Sequence, residues 1–436
     1  MQLDDILFSI KKLIPKSVFH FFQPAYHFSL AFLGYLVYRN PSKHLTVIAV
    51  TGTKGKTTTT ELLNAILEEN GHPTVLTNTV RIKVAERSER NLFKTSVRGR
   101  FFLQRTMRQA VNTGCTYAVI ELTSEGAKQF RHRFIELDAL IFTNLHPEHI
   151  ESHGSFEQYR EAKLDIARGL ARSPKTPKYI VANADDPEHS KFVTAAGSSC
   201  SPVLFSLADA QPYSTSENGL EFIFEETSMV SPLLGAFNLS NILAALTCLR
   251  TFGIPVETAK RAIETYTGTP GRVEEITEGQ DFRVFIDYAH TPDSLKQLYE
   301  TFPKTKKVCV LGNAGGGRDT WKRKSMGTIA DTHCDEIILT NEDPYDEDPR
   351  SIVEEMKTSI TKKPCAIIMD RREAIHTALQ KASSLTKATE GEQNKNIVVL
   401  ITGKGTDPYI MEANNTKTPW SDAEVAREEL AKLRGR

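Results

Sequence analysis

The apolar positions of this chain gather into short β-branched runs separated by stretches of helical spacing. Residues 45–50 (LTVIAV) form a run of the kind buried in a parallel sheet. A turn rich in Gly and Thr follows, then ELLNAILEENG, whose spacing and terminal Gly71 predict a helix and its stop. Strand, glycine turn and helix begin a doubly wound unit. The alternation continues with strands at 116–122, 139–145 and 179–185 and helices at 101–113 and 156–171. Residues 197–232 predict a peripheral hairpin region, and 238–252 another helix. Near Pro270-Gly271 the pattern restarts, with strands at 283–289, 307–313, 336–341, 365–370 and 397–403, spaced for crossover helices. The polar stretch 384–396 reads as an exposed loop.

A length of 436 residues suggests two or three domains. The 54 basic and 54 acidic side chains cancel, so nothing points to a nucleic-acid partner. Six cysteines stand singly with no CxxC pair, which excludes zinc spacing and predicts unpaired thiols. From Val18 to Tyr38 there is no charged residue and the run is aromatic; Lys11, Lys12 and Lys16 precede it, Arg39 and Lys43 follow. Pro24, His20, His27 and Gln23 dilute it, and no cleavage site follows, so a signal peptide is rejected. A helix packed on the protein's own surface and an interfacial helix giving peripheral membrane contact through residues 18–38 stand as equal readings, ahead of a bilayer span. The catalytic region is expected in the cytoplasm, at the inner face of the membrane if this segment touches lipid.

Between the first strand and its helix lie Gly52, Thr53, Lys54, Gly55, Lys56, Thr57 and Thr58. Glycines let backbone N–H groups converge on phosphate oxygens at a helix N-terminus. Lys56 can reach the terminal phosphates and Thr57 can offer its hydroxyl to Mg²⁺. Val50 stands where the longer GxxxxGK[ST] pattern needs glycine, so this is the shorter GxxGKT form. The fold class is therefore α/β. A central P-loop-type doubly wound domain spans 45–270 and a C-terminal Rossmann-like domain 271–436, after an apolar N-terminal helical segment over 1–44.

The string AVTGTKGKTTT resembles the ATP loop of the Mur ligases, and further segments match that family in order. They are ELTSEG (121–126), FTNLHPEHIESHGS (142–155), YREAK (159–163), NADD (183–186), FNLSN (237–241), PGRVEE (270–275), IDYAHTPDSL (286–295) and GKGTD (403–407). The resemblance is greatest to the branch that adds the third amino acid to the wall peptide. It implies an ATP-dependent ligase that phosphorylates a carboxylate and then joins it to an amine, with Mg²⁺ and fixed cations offsetting the negative charge. It implies Thr57, Glu121, His149 and Lys163 as metal-side residues, Lys163 being carbamylated, which needs a lowered lysine pKa. It implies Asn238 and Asn241 on adenine, Arg272 on the γ-phosphate and Asp287 on the ribose. Arg272 and Asp287 would come from the second domain, so closure completes the ATP site. The partners implied are a small peptide-precursor substrate and an amino acid, and the chain is read as a monomer.

The chain departs from the family in places. Glu148 and Glu151 stand where Asp is usual. About 45 residues precede the ATP loop, too few for the branch's uridine-nucleotide-binding domain, so a lipid-linked substrate or partner is a second hypothesis. Glu342-Asp343-Pro344-Tyr345 replaces the DNPR segment that grips the distal carboxylate of meso-diaminopimelate. Asp343, Asp346 and Asp407 make that neighbourhood acidic, which suits lysine or another diamine. Thr95 and Ser96 occupy a Thr-Thr-Pro substrate segment whose proline is Val97. Arg318, Asp319, Lys322 and Arg323 are read either as a carboxylate-binding loop or as a solvated one. The alternatives are a folylpolyglutamate-type ligase and a non-catalytic ATP-binding subunit of a cell-wall complex.

Overall fold

The run Thr46–Thr51 (β1) is apolar on both faces and becomes a central strand of a largely parallel sheet. A computed structural model describes residues 16–97, 99–388 and 396–435. The first sheet has eight strands. Beside β1 lie Tyr117–Glu121 (β5) and Ala139–Phe142 (β6), both parallel to it. Tyr179–Asn183 (β7) and Ser201–Phe205 (β8) extend one side. On the other side come Thr74–Thr77 (β2) and then an antiparallel pair, Arg81–Val84 (β3) and Arg87–Arg90 (β4), giving the order β4-β3-β2-β5-β1-β6-β7-β8. Two apolar layers cover its faces. One holds Leu62, Leu63, Ile66 and Leu67 of the helix Lys56–Glu69 with the helix Ala236–Thr251; the other holds the helices Arg100–Asn112 and Phe156–Arg172.

The expected hairpin region is a three-stranded antiparallel sheet of Tyr213–Ser216 (β9), Gly219–Phe224 (β10) and Thr227–Ser231 (β11). The second large sheet orders its six strands as Glu274–Glu275 (β12), Arg283–Asp287 (β13), Ile397–Thr402 (β17), Lys306–Leu311 (β14), Glu336–Leu339 (β15) and Cys365–Ile367 (β16). All but β12 run parallel. At or just beyond their C-terminal ends, where α/β folds form sites, lie Asp287, Asn313, Asp343 and Lys404, and Lys94 of the first domain reaches Asp343.

Two expectations change, and a third holds. The stretch 384–396 is not all loop: the helix Arg371–Ala388 carries it to residue 388, and 389–395 lie outside the described residues. Cys309 and Cys334 form a disulfide, with Cα atoms 6.2 Å apart, because β14 runs beside the chain entering β15. Cys115, Cys200, Cys248 and Cys365 are free as expected. The apolar N-terminal run forms the helix Lys16–Val37, and no helix among the described residues is long and apolar enough to cross a membrane. Lys11 and Lys12 lie outside the described residues.

Candidate active site

The phosphate loop needs its glycines for two reasons. Gly55 has φ 81° and caps the helix Lys56–Glu69, a conformation costly for residues with a Cβ. Neighbours also crowd in: a Cβ at Gly52 would overlap Thr143 Oγ1, and one at Gly55 would overlap Asn241 Oδ1. The loop is pinned by Asn144, whose carbonyl accepts from Thr53 N (2.8 Å) and whose Oδ1 accepts from Lys54 N (2.8 Å). Lys56 Nζ donates to Thr53 O at 2.8 Å, and burial lowers its pKa although Glu121 and Glu148 oppose the shift.

Thr57 Oγ1 donates to Glu121 Oε2 at 3.0 Å, and the same carboxylate oxygen accepts from Thr79 N at 3.1 Å. Glu121 is 2% exposed. A hydroxyl beside a buried carboxylate at a phosphate loop is the hard-oxygen donor set that suits Mg²⁺. Among the described residues no group of three or more His, Cys, Asp or Glu side chains could hold a metal unaided. Phosphate oxygens and water would therefore have to complete the shell. Thr58 is buried in the first helical turn.

Lys163 is 2% exposed, and its Nζ donates to Gly52 O at 2.7 Å while lying over the Tyr159 ring at 4.9 Å. Burial, followed by repulsion from Lys56, drives its pKa well below the usual lysine value. That is the condition under which an ammonium gives up its proton and can react with CO₂. His149 has left-handed backbone (φ 57°) and precedes the short helix Ile150–His153; its N–H donates to Asp319 Oδ2 of the second domain at 3.3 Å. The residue is exposed, and its ring lies edge-on to the Tyr159 ring with centroids 6.4 Å apart.

Glu148 binds Lys54 Nζ at 2.8 Å and lies 2.9 Å from His290 Nε2. Burial alone would raise its pKa; the Lys54 charge and the His290 contact hold it well below the usual carboxylate range. The Glu148–His290 contact joins the two large sheets. Nearby, the Arg272 guanidinium stacks on the Tyr288 ring at 4.3 Å. Asp287 accepts from Val273 N (2.8 Å) and Ala289 N (2.6 Å), and burial raises its pKa against the pull of Arg272. Asn241 Nδ2 donates to Asn238 Oδ1 at 3.1 Å, which sets this pair against Gly55. Asn238 lies in the first turn of the helix that Gly235 caps, and its Nδ2 donates to Leu234 O at 2.8 Å.

The acidic neighbourhood is already neutralised. Asp343 Oδ2 binds Lys94 Nζ at 2.6 Å, and Oδ1 binds Lys404 Nζ at 2.7 Å and Met411 N at 2.8 Å. Asp407 lies 3.0 Å from Lys94 and 3.4 Å from Lys404. Asp346 accepts from Asn414 N. Thr95 Oγ1 turns back onto Val97 O at 3.4 Å, and Ser96 is buried. The segment 318–323 is mixed: Arg318 is exposed and stacks on Tyr345 at 4.3 Å, whereas Asp319, Lys322 and Arg323 are buried. Thr79, His290, Lys94 and Lys404 were not foreseen. His290 and Lys404 stand within the motifs read above; Thr79 and Lys94 carry no local signal.

Comparison with known proteins agrees with this arrangement. Residues 50–249 match the model of the Mur ligase middle domain, and 271–405 that of the Mur ligase, glutamate ligase domain. The chain is 36% identical over 431 residues to a UDP-N-acetylmuramyl-tripeptide synthetase of Roseiflexus sp. (strain RS-1), covering 93% of this chain and 82% of that protein. It is 34% identical over 419 residues to a UDP-N-acetylmuramoyl-L-alanyl-D-glutamate--2,6-diaminopimelate ligase of Geobacillus kaustophilus (strain HTA426), covering 92% and 81%. A solved structure of a ligase with that second name superposes with TM-score 0.59 at 27% identity, covering 89% of this chain and 79% of the other. A folylpolyglutamate synthase of Mycobacterium tuberculosis has TM-score 0.67 at 15% identity, covering 94% and 95%, a likeness of fold alone.

Proposed function

This chain belongs to the Mur ligase family of ATP-dependent acid–amino acid ligases, and we propose that it adds an amino acid to a peptidoglycan-precursor peptide in the cleft between its two large sheets. The observation that carries this reading is the phosphate loop itself, where Lys56, Thr57 and Glu121 meet on one side and Lys163 on the other. ATP and Mg²⁺ are the family's cofactors. Bound Mg²⁺ would supply charge neutralisation for phosphoryl transfer, held on this chain by Thr57 and Glu121.

In the proposed reaction the γ-phosphoryl of ATP passes to a substrate carboxylate, the amine attacks the acyl-phosphate carbon, and phosphate leaves. Lys56 and Arg272 would hold the phosphates, Asn238 and Asn241 the adenine, and Asp287 the ribose. Lys163, carbamylated, would add an anion at the metal side, and His149, whose ring adjoins Tyr159 as Lys163 does, would join it. The division at 270–271 then separates an ATP-binding domain from an amino-acid-binding one. Thr95 and Ser96 would face the precursor. The preference for lysine or another diamine loses support, because Lys94 and Lys404 occupy both Asp343 and Asp407. An ammonium of the substrate would have to displace Lys94. A place at the inner membrane face, through residues 18–38, would be independent of this chemistry.

Phosphate release is the test, measured across UDP-linked and lipid-linked wall precursors with candidate amines. Release that requires both a carboxylate and an amine is the expected result. ATP hydrolysis indifferent to either, or no binding of Mg-ATP, would refute the reading.

A further inference from the structure

The helix Lys16–Val37 turns a row of apolar side chains outward. Tyr26, Phe28, Phe32, Leu33, Leu36 and Val37 are each 43–60% exposed. Phe28, Phe32 and Leu36 follow one another at i, i+4 spacing, and so do Leu33 and Val37, so both rows share a face. The opposite side is fixed to the body. Ala31 is buried, and Gly34 lies so close to the helix Arg100–Asn112 that a Cβ there would sit 3.6 Å from Arg100 O and Phe101 Cα. Phe28 and Phe32, at the border of the outward row, also rest against Phe134 at 5.2 and 5.4 Å, and Tyr35 packs on it at 5.7 Å. Arg108 ties down the helix end through Tyr38 O and Arg39 O, both at 2.9 Å. The outward row is thus held rigidly in place.

The exposed charges on this face are mainly basic. Residues 23–44, 91–97, 99–120 and 127–135, which line it, contain no Asp or Glu; the carboxylates at its border are engaged, Glu136 by Asn40, Asp165 by His132 and Arg133, and Glu125 by His153. Arg39, Lys43, Arg105 and Lys128 are exposed on these segments. Arg100 and Arg131 lie together near Tyr26, and Arg100 Nη2 is buried with no hydrogen-bond partner among the described residues. Burial and the neighbouring Arg131 charge lower the Arg100 pKa to about 10.

We propose that this face docks on the anionic surface of a lipid bilayer, with the outward row at the acyl boundary and the arginines on headgroup phosphates. An apolar helix face with basic flanks and no charge on the row is the pattern of an interfacial helix, and the helix cannot cross the bilayer. A second copy of the chain fits poorly, because a two-fold contact would press the exposed Arg39, Lys43 and Arg105 against their duplicates. The site chemistry is untouched by this contact, so failure here leaves the ligase reading standing.

The test is flotation of the full chain with vesicles of phosphatidylcholine alone or of equal parts phosphatidylcholine and phosphatidylglycerol. The protein is expected to float with the anionic vesicles and to be released by salt. Leu33→Ser and Leu36→Ser should each weaken binding about tenfold, and Arg39→Gln and Arg105→Gln each about fivefold. Unchanged thermal unfolding and Mg-ATP binding certify that these surface variants are folded. Flotation indifferent to lipid charge overturns the proposal, as does absence from both vesicle types. A concentration-dependent dimer abolished by Leu33→Ser with Leu36→Ser would overturn it in favour of self-association.

Discussion

Lys163 and Lys404 are buried alike, 2% and 0% exposed, yet their surroundings give them opposite characters. Lys163 bonds a backbone carbonyl and lies over an aromatic ring, so burial drives its pKa down. Lys404 sits between Asp343 and Asp407, and Lys94 reaches across from the first domain to the same carboxylates. Burial alone would lower the Lys94 pKa, but Asp407 and Asp343 more than reverse it, and it ends raised. A buried amine without a carboxylate is chemically available, whereas one with carboxylates is a clamp.

Substitutions that exchange these characters should separate them. The largest effect is expected for Lys404→Met, which leaves Asp343 and Asp407 under-compensated and should cost about 3–5 kcal/mol in denaturant unfolding. A cost under about 1 kcal/mol would mean that Lys94 alone neutralises the pair. Lys163→Ala should lower turnover by about a hundredfold to a thousandfold, with partial recovery on adding a short carboxylate. Full activity in that variant would remove Lys163 from the site.

The pH dependence should then differ in sign. Between the lowered folded pKa of Lys163 and the ordinary lysine value of about 10.4, the unfolded chain binds a proton that the folded chain does not. Lys163 therefore destabilises the fold at neutral pH, and the penalty fades as pH rises toward that value. In CO₂-free buffer, Lys163→Met should gain about 1–3 kcal/mol near pH 7, shrinking toward pH 10. For Lys94 the folded pKa is raised, so its contribution is complete below the ordinary value and lost as pH climbs through the folded one. Lys94→Met should accordingly cost about 1 kcal/mol at neutral pH, a loss that disappears in strong alkali. Parallel pH profiles for the two variants would break the contrast.

Some of this was open to reading along the chain. The phosphate loop was legible because its function is local: Gly52, Gly55, Lys56 and Thr57 lie within six consecutive residues between a buried strand and a helix. The parallel strands were legible for the same reason, since burial on both faces leaves continuous apolar runs. The strands Thr74–Thr77, Arg81–Val84 and Arg87–Arg90 were not, because two of them sit at a sheet edge and are half polar. Their turn carries Thr79, which reaches Glu121 only after the sheet has paired.

By itself the sequence determined the two α/β units, the nucleotide loop and the uncharged run near the N-terminus, each a property of neighbouring residues. Tertiary structure alone decided which amines meet carboxylates, that Glu148 faces His290 across the cleft, and that the apolar row of the first helix points outward. Those outcomes depend on contacts between residues far apart in the chain, and ionisation follows the burial and partners that such contacts create.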